Sequence, residues 1–123
     1  MIRRDDWPQR LNEYLTACRD KKFQLGKFDC AKFAFGAIKS MTGQDLIPAK
    51  YSTKKEALKL MAEKPMTEWL TEVLEPCHPA KAQRGDIGVY ENACGVVIGR
   101  YTVFCGNEWQ IVPTLKLEAA FRG

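Results

Sequence analysis

The chain has a single histidine, His78, in 123 residues. That scarcity removes most zinc chemistry, which draws on His and Cys at tight spacing. The five cysteines, Cys18, Cys30, Cys77, Cys94 and Cys105, form no C-x-x-C pair. Their spacing supports neither zinc nor an iron–sulfur cluster, and no cofactor is expected. An odd count without close spacing also argues against a disulfide framework. No apolar run approaches the roughly 20 residues that cross a bilayer, so no membrane span is expected. The opening MIRRDDWPQR is charged and lacks an apolar core, which argues against a secretory signal. Synthesis and retention in a cytoplasm, or delivery by another route, is the expectation. Internal repeats and low-complexity tracts are missing too.

What is present is ordinary for a folded domain: 46% hydrophobic and 28% charged residues. The length suits one domain spanning residues 1–123. Folding at that size hides roughly two-thirds of the surface, enough for a core without staples. The net charge is +4, from 19 basic and 15 acidic residues. Basic pairs such as Arg3–Arg4, Lys21–Lys22 and Lys54–Lys55 are scattered along the chain. A nucleic-acid binder gathers them into a stripe interleaved with aromatics, so these charges read as solvated surface and no nucleic-acid partner is expected.

The first two-thirds of the chain reads as helices. A first helix begins at Asp5 or Asp6 with Pro8 in its first turn, and Trp7, Leu11, Tyr14, Leu15 and Cys18 share one face. A second carries Cys30, Phe33, Ala34, Ala37, Ile38 and Met41 at the spacing of a buried stripe, and Gly43 stops it. A third opens on the capping box Thr53–Glu56 and runs through Leu58 and Met61. A short fourth lies in MTEWLTEVL with Thr67 as its cap, and the prolines of EPCHPA end it.

From Arg84 the texture changes. GDIGVY, CGVVIG, YTVFC and WQIVP are β-branched and aromatic runs separated by Gly and Asn, the pattern of short antiparallel strands. LEAAF fits a helical turn or a last edge strand. The predicted fold class is α+β, with N-terminal helices packed on a C-terminal antiparallel sheet and the second helix lying across it.

One residue in this scheme has chemistry of its own. Cys30 follows the helix cap Asp29, so its thiol falls in the first turn, where free N–H groups and the helix dipole favour a thiolate. A cysteine nucleophile needs that environment. The alternative is that Cys30 simply begins the apolar stripe, since free cysteine is among the most buried residue types. Asp29, Asp45 and Asp86 are better explained as a cap, a turn residue and the start of a strand than as acids or bases. Phe23, Phe28, Tyr51, Tyr90 and Trp109 lie near element ends, where a groove would be lined.

The order F-x-L-G-x-x-D-C-x-x-F-A, then TG-x-D, A-x-x-GD and GVVIG, resembles the NlpC-like branch of papain-fold cysteine peptidases. More narrowly it is similar to a compact phage and prophage branch associated with tail genes. The resemblance runs from WPQRLNEYL to LEAAFRG. It implies a papain-like domain with Cys30 as nucleophile and Gly85–Asp86 opening the first core strand. It implies a peptidoglycan hydrolase cutting amide bonds of the stem peptide through a thioester. The family's histidine falls at Ala93 in ACGVVIG, and its orienting polar residue at about Cys105. Two catalytic positions are therefore replaced. His78, in the loop EPCHPAKAQRGD, is the one substitute base available, against the alternative of an exposed loop histidine.

The resemblance further implies phage tail-tip proteins and peptidoglycan peptide as partners. Residence would be in the host bacterial cytoplasm during assembly and then in the virion tail. Three functions remain open: a working cysteine peptidase, a degenerate domain that binds without cutting, and a structural component of the tail tip.

Overall fold

The computed structural model describes residues 2–123. Among them, four α-helices precede a six-stranded antiparallel sheet, as the α+β expectation requires. Helix α1 spans Trp7–Cys18, with a proline in its first turn and Leu11 and Cys18 buried. Asp6 occupies its N-cap, yet the carboxylate reaches forward instead, accepting from Arg10 Nε at 2.8 Å.

Helix α2 spans Cys30–Thr42, and its caps agree with the sequence at both ends. The Lys32 N–H donates to Asp29 Oδ1 at 3.1 Å, while Gly43 closes the helix at φ 80°, where a side chain would be strained. Phe33, Ala34, Ala37, Ile38 and Met41 are buried along the expected stripe. Burying each of the larger side chains is worth about 1.5–3 kcal/mol. Phe35, outside that stripe, is buried as well, because α2 is covered on more than one side.

Helix α3, Lys54–Glu63, shows the capping box: Thr53 accepts from the Glu56 N–H at 3.1 Å, and Glu56 accepts from the Ser52 N–H at 3.2 Å. Its apolar residues Leu58 and Met61 remain 47% and 51% exposed, and Ala57 is the one that packs inward. Helix α4, Met66–Thr71, is capped differently from the expectation. Pro65 stands at the N-cap and Thr67 lies inside the helix. The free Met66 N–H finds its acceptor across the fold, on Asn92 Oδ1 at 2.8 Å. A tertiary contact thus does what a local cap would have done.

The strands are β1 (Pro76–Cys77), β2 (Ile87–Tyr90), β3 (Ala93–Val97), β4 (Tyr101–Phe104), β5 (Gln110–Pro113) and β6 (Ala119–Phe121). Their order in the sheet is β1-β6-β2-β3-β4-β5. The last strand is therefore internal: Ala120 pairs with both Gly88 and Cys77. EPCHPA, expected only to end α4, supplies the edge strand that covers it. Pro76 sits in that edge strand, where its missing donor is tolerated. Between β2 and β3, Glu91 and Asn92 adopt φ of 50° and 57°, the two-residue turn whose twist suits a hairpin.

The sheet's helix-facing side carries Val89, Cys94, Val96, Val103 and Phe121, which join Leu11, Phe33, Ile38, Met41 and Leu70 in one core. Val97, Phe104 and Leu117 form a smaller cluster on the opposite side. Asp86, at the start of β2, is 1% exposed and heavily bonded. It accepts from the Gln83 and Gly123 N–H groups at 2.8 and 3.0 Å, and from Arg3 and Arg122 at 3.3 and 3.0 Å. Burial pulls the Arg3 guanidinium below its ordinary pKa, and the nearby Asp86 charge offsets part of that pull. Asp86 is structural, as its sequence context implies.

Candidate functional site

The segment before α2 is a tight loop. Gln24 and Phe28 exchange main-chain hydrogen bonds at 2.8 Å, which turns the chain back on itself. Asp29 then accepts from the Gly26 N–H at 3.0 Å and from the Tyr51 hydroxyl at 2.7 Å, besides capping α2. Lys32 Nζ closes the arrangement by donating to the carbonyls of Gly26 and Tyr51 at 2.6 and 2.8 Å. With three donors on its carboxylate, Asp29 serves as cap and loop anchor. What this loop does is hold the first turn of α2, and with it Cys30, in a fixed direction.

Cys30 forms part of the wall of a cavity of about 510 Å³. Phe23, Leu25, Ile47 and Tyr51 line it with Cys30, as do Leu60, Met61, Met66 and Trp69 from α3 and α4. The hairpin turn and the end of β4 complete the rim with Asn92, Ala93, Cys105 and Asn107. The lining is mainly apolar, with Lys64, Glu91 and the two asparagines supplying polar contacts. Tyr90, grouped with possible groove residues, borders an adjoining depression that shares Glu91, Ala93 and Cys105 with this cavity. Phe28 and Trp109 serve the core, packing edge-on against Phe33 at 6.2 and 5.5 Å.

Strand alternation decides which residue of β3 meets the thiol. Cys94 points to the helix side and Ala93 to the other face, although Ala93 still borders the cavity at the start of the strand. The Cys94 thiol donates to the Cys30 carbonyl at 3.3 Å, which sets its sulfur beside the first residue of α2. The neighbouring Cys94 side chain, opposed by burial and helped by main-chain N–H groups, holds Cys30 below the ordinary thiol pKa. The Cys30 side chain and complete burial push Cys94 well up. Burial, with the Cys30 charge next in size, pushes Cys105 up to about 12. Among these three neighbouring sulfurs, only Cys30 is disposed to ionise.

The structure thus brings Cys30, Ala93 and Cys105 to one cavity. It does not bring His78 there. That residue follows β1 and caps a short 3-10 turn, Pro79–Lys81, by accepting from the Ala80 N–H at 3.0 Å. Strand β1 is three places from β3, about 14 Å at the usual strand spacing. No histidine borders the cavity among the described residues. Sequence reasoning missed Cys94 and the wall made by α3 and α4. Cys94 was readable from the period of two in ACGVV, where it shares a face with Val96. The wall was not, because it depends on where two exposed-looking helices settle.

The chain belongs, over residues 2–123, to the family described as Domain of unknown function (DUF6950). No curated protein matches it.

Proposed function

We propose that this domain is a papain-like, NlpC-type fold that binds a peptide in the Cys30 cavity without cutting it. One observation carries this reading. The positions where the resemblance puts nucleophile, base and orienting residue line a single cavity, yet they hold Cys30, Ala93 and Cys105. A cysteine at a helix N-terminus with its thiol held below the ordinary pKa satisfies the first requirement of thiol catalysis. The second requirement is a group that takes a proton and hands it to the leaving amine near neutral pH. Ala93 has no such atom, and the thiols of Cys94 and Cys105 keep their protons far above neutrality.

The ligand class follows from the resemblance and suits the lining. A peptidoglycan stem peptide offers small apolar side chains to the wall around Tyr51 and Trp69. Its main-chain amides have partners in Asn92 and Asn107, and Lys64 and Glu91 meet its charged ends. Such a domain would act as a recognition module in a phage tail tip. It would assemble with tail-tip proteins in the host cytoplasm and then remain in the virion.

The test is to titrate purified muropeptides by calorimetry into wild type and Cys30→Ala, and to assay the same mixtures for new amino termini. Saturable binding in both proteins with no new amines is expected. Amine release that disappears in Cys30→Ala would make the domain a hydrolase, and absence of binding in both would remove the peptide ligand.

A further inference from the structure

A cysteine bordering a cavity, with a second, fully buried cysteine whose sulfur touches its main chain, is also the arrangement of a peroxide-sensing cysteine pair. We propose that Cys30 and Cys94 form a reversible disulfide when hydrogen peroxide enters the cavity, with Cys30 as the reacting thiol and Cys94 as the resolving one. The inference concerns the same thiol as the function proposed above, but it stands on the placement of the Cys94 sulfur 3.3 Å from the Cys30 carbonyl, whatever the cavity binds.

Geometry sets the roles. Cys30 borders the cavity at the N-terminus of α2. Cys94 is completely buried behind it, with its sulfur 3.3 Å from the Cys30 carbonyl oxygen. Peroxide therefore meets Cys30 first. Its low-lying thiol pKa supplies the thiolate that attacks. The Cys30 thiolate displaces hydroxide from hydrogen peroxide, and after uptake of one proton the products are Cys30 sulfenic acid and water. The Cys94 sulfur then attacks the sulfenic sulfur, breaking the S–O bond. The Cys94 proton leaves with the hydroxide as a second water. In balance, two thiols and one peroxide give one disulfide and two waters.

Cys105 is the competing partner. It borders the same cavity, but no hydrogen bond links it to Cys30, whereas the Cys94 thiol bonds the Cys30 carbonyl. Cys18 is fully buried in the core and is not a cavity residue. The bridge would tie the first residue of α2 to the second residue of β3 and remove the only low-pKa thiol of the three from the cavity.

Trypsin separates the candidates, because Cys30, Cys94 and Cys105 fall in peptides 28–32, 85–100 and 101–116. Reduced native protein is treated with hydrogen peroxide, blocked with iodoacetamide, digested without reductant and mapped by mass spectrometry. The expected product is peptide 28–32 joined to peptide 85–100 with loss of two hydrogens, and dithiothreitol releases it. Cys105→Ser, a rim position, should form the same product in wild-type yield. Cys94→Ser should stop at a Cys30 sulfenic acid that dimedone captures. Should that variant not fold, the wild-type and Cys105→Ser maps decide alone. Over-oxidised Cys30 without a crosslink, a link to peptide 101–116, or no reaction would each overturn the proposal. None of these results bears on muropeptide binding, so either proposal can fail while the other survives.

Discussion

The two ends of β2 use buried polar groups in opposite ways. At the Ile87 end, Asp86 is surrounded by two guanidinium groups and two main-chain N–H groups, which join residues near both ends of the chain to the middle of the sheet. At the Tyr90 end, the hairpin turn opens onto a cavity, and the neighbouring Asp29 takes only uncharged donors. The first end is closed and saturated with charge; the second holds one thiol whose partners favour its ionisation. The contrast separates the element that secures the fold from the element available for chemistry.

The sharpest way to break that contrast is Asp86→Ala. It leaves Arg3, Arg122 and two N–H groups without their acceptor, and removing one partner of a buried pair costs about 3–5 kcal/mol. Arg122 is partly exposed, so the lower end of that range is expected from urea unfolding. A loss below about 1 kcal/mol would mean that Asp86 is not the clasp described here.

Asp29→Ala should cost less, about 2 kcal/mol, through the lost cap and the two further hydrogen bonds. Asp29→Asn should recover most of it, because asparagine caps a helix as well as aspartate does. Equal losses in the two variants would show that the charge, rather than the hydrogen-bond geometry, holds the loop.

Alkaline pH probes the same end more gently. In the unfolded chain the thiols ionise near their ordinary pKa, whereas folded Cys94 and Cys105 keep their protons to higher pH. The unfolded state therefore binds fewer protons above that value, and stability must fall as pH rises towards 12. The thermal midpoint of Cys105→Ala should decline less steeply between pH 9 and 11 than that of wild type. Parallel curves would deny the upward shift at Cys105.

The smallest effect is expected for Cys30→Ala, within about 1 kcal/mol of wild type, because the thiol is only partly buried and borders the cavity as well as the core. A loss of 3 kcal/mol would place Cys30 in the core and revive the alternative that it merely starts the apolar stripe.

Much of this was legible in the sequence where short-range physics dominates. The caps Asp29, Thr53 and Gly43 and the buried stripe of α2 follow from spacing and side-chain chemistry, and the four strands after Arg84 follow from their residue types. The misplaced features depend on distant partners. Thr67 looked like a cap because nothing nearby in the sequence reveals that Asn92 fills that role. LEAAF looked like a turn or an edge because β1, which covers it, is only two residues long and contains proline. The site divided in the same way. Cys30 is marked by its cap, whereas the role of Cys94 depends on the packing of β3 against α2, and His78 stands out in the sequence only as the sole histidine.

Alkylation of the five cysteines tests the central claim most directly. The reduced native protein is treated with iodoacetamide at a series of pH values from 5 to 9, and each site is mapped by mass spectrometry. The account predicts that Cys30 reacts first, with a midpoint below that of an unfolded control, while Cys94 and Cys105 stay protected throughout. Protection of Cys30, or reaction in step with the unfolded control, would contradict it.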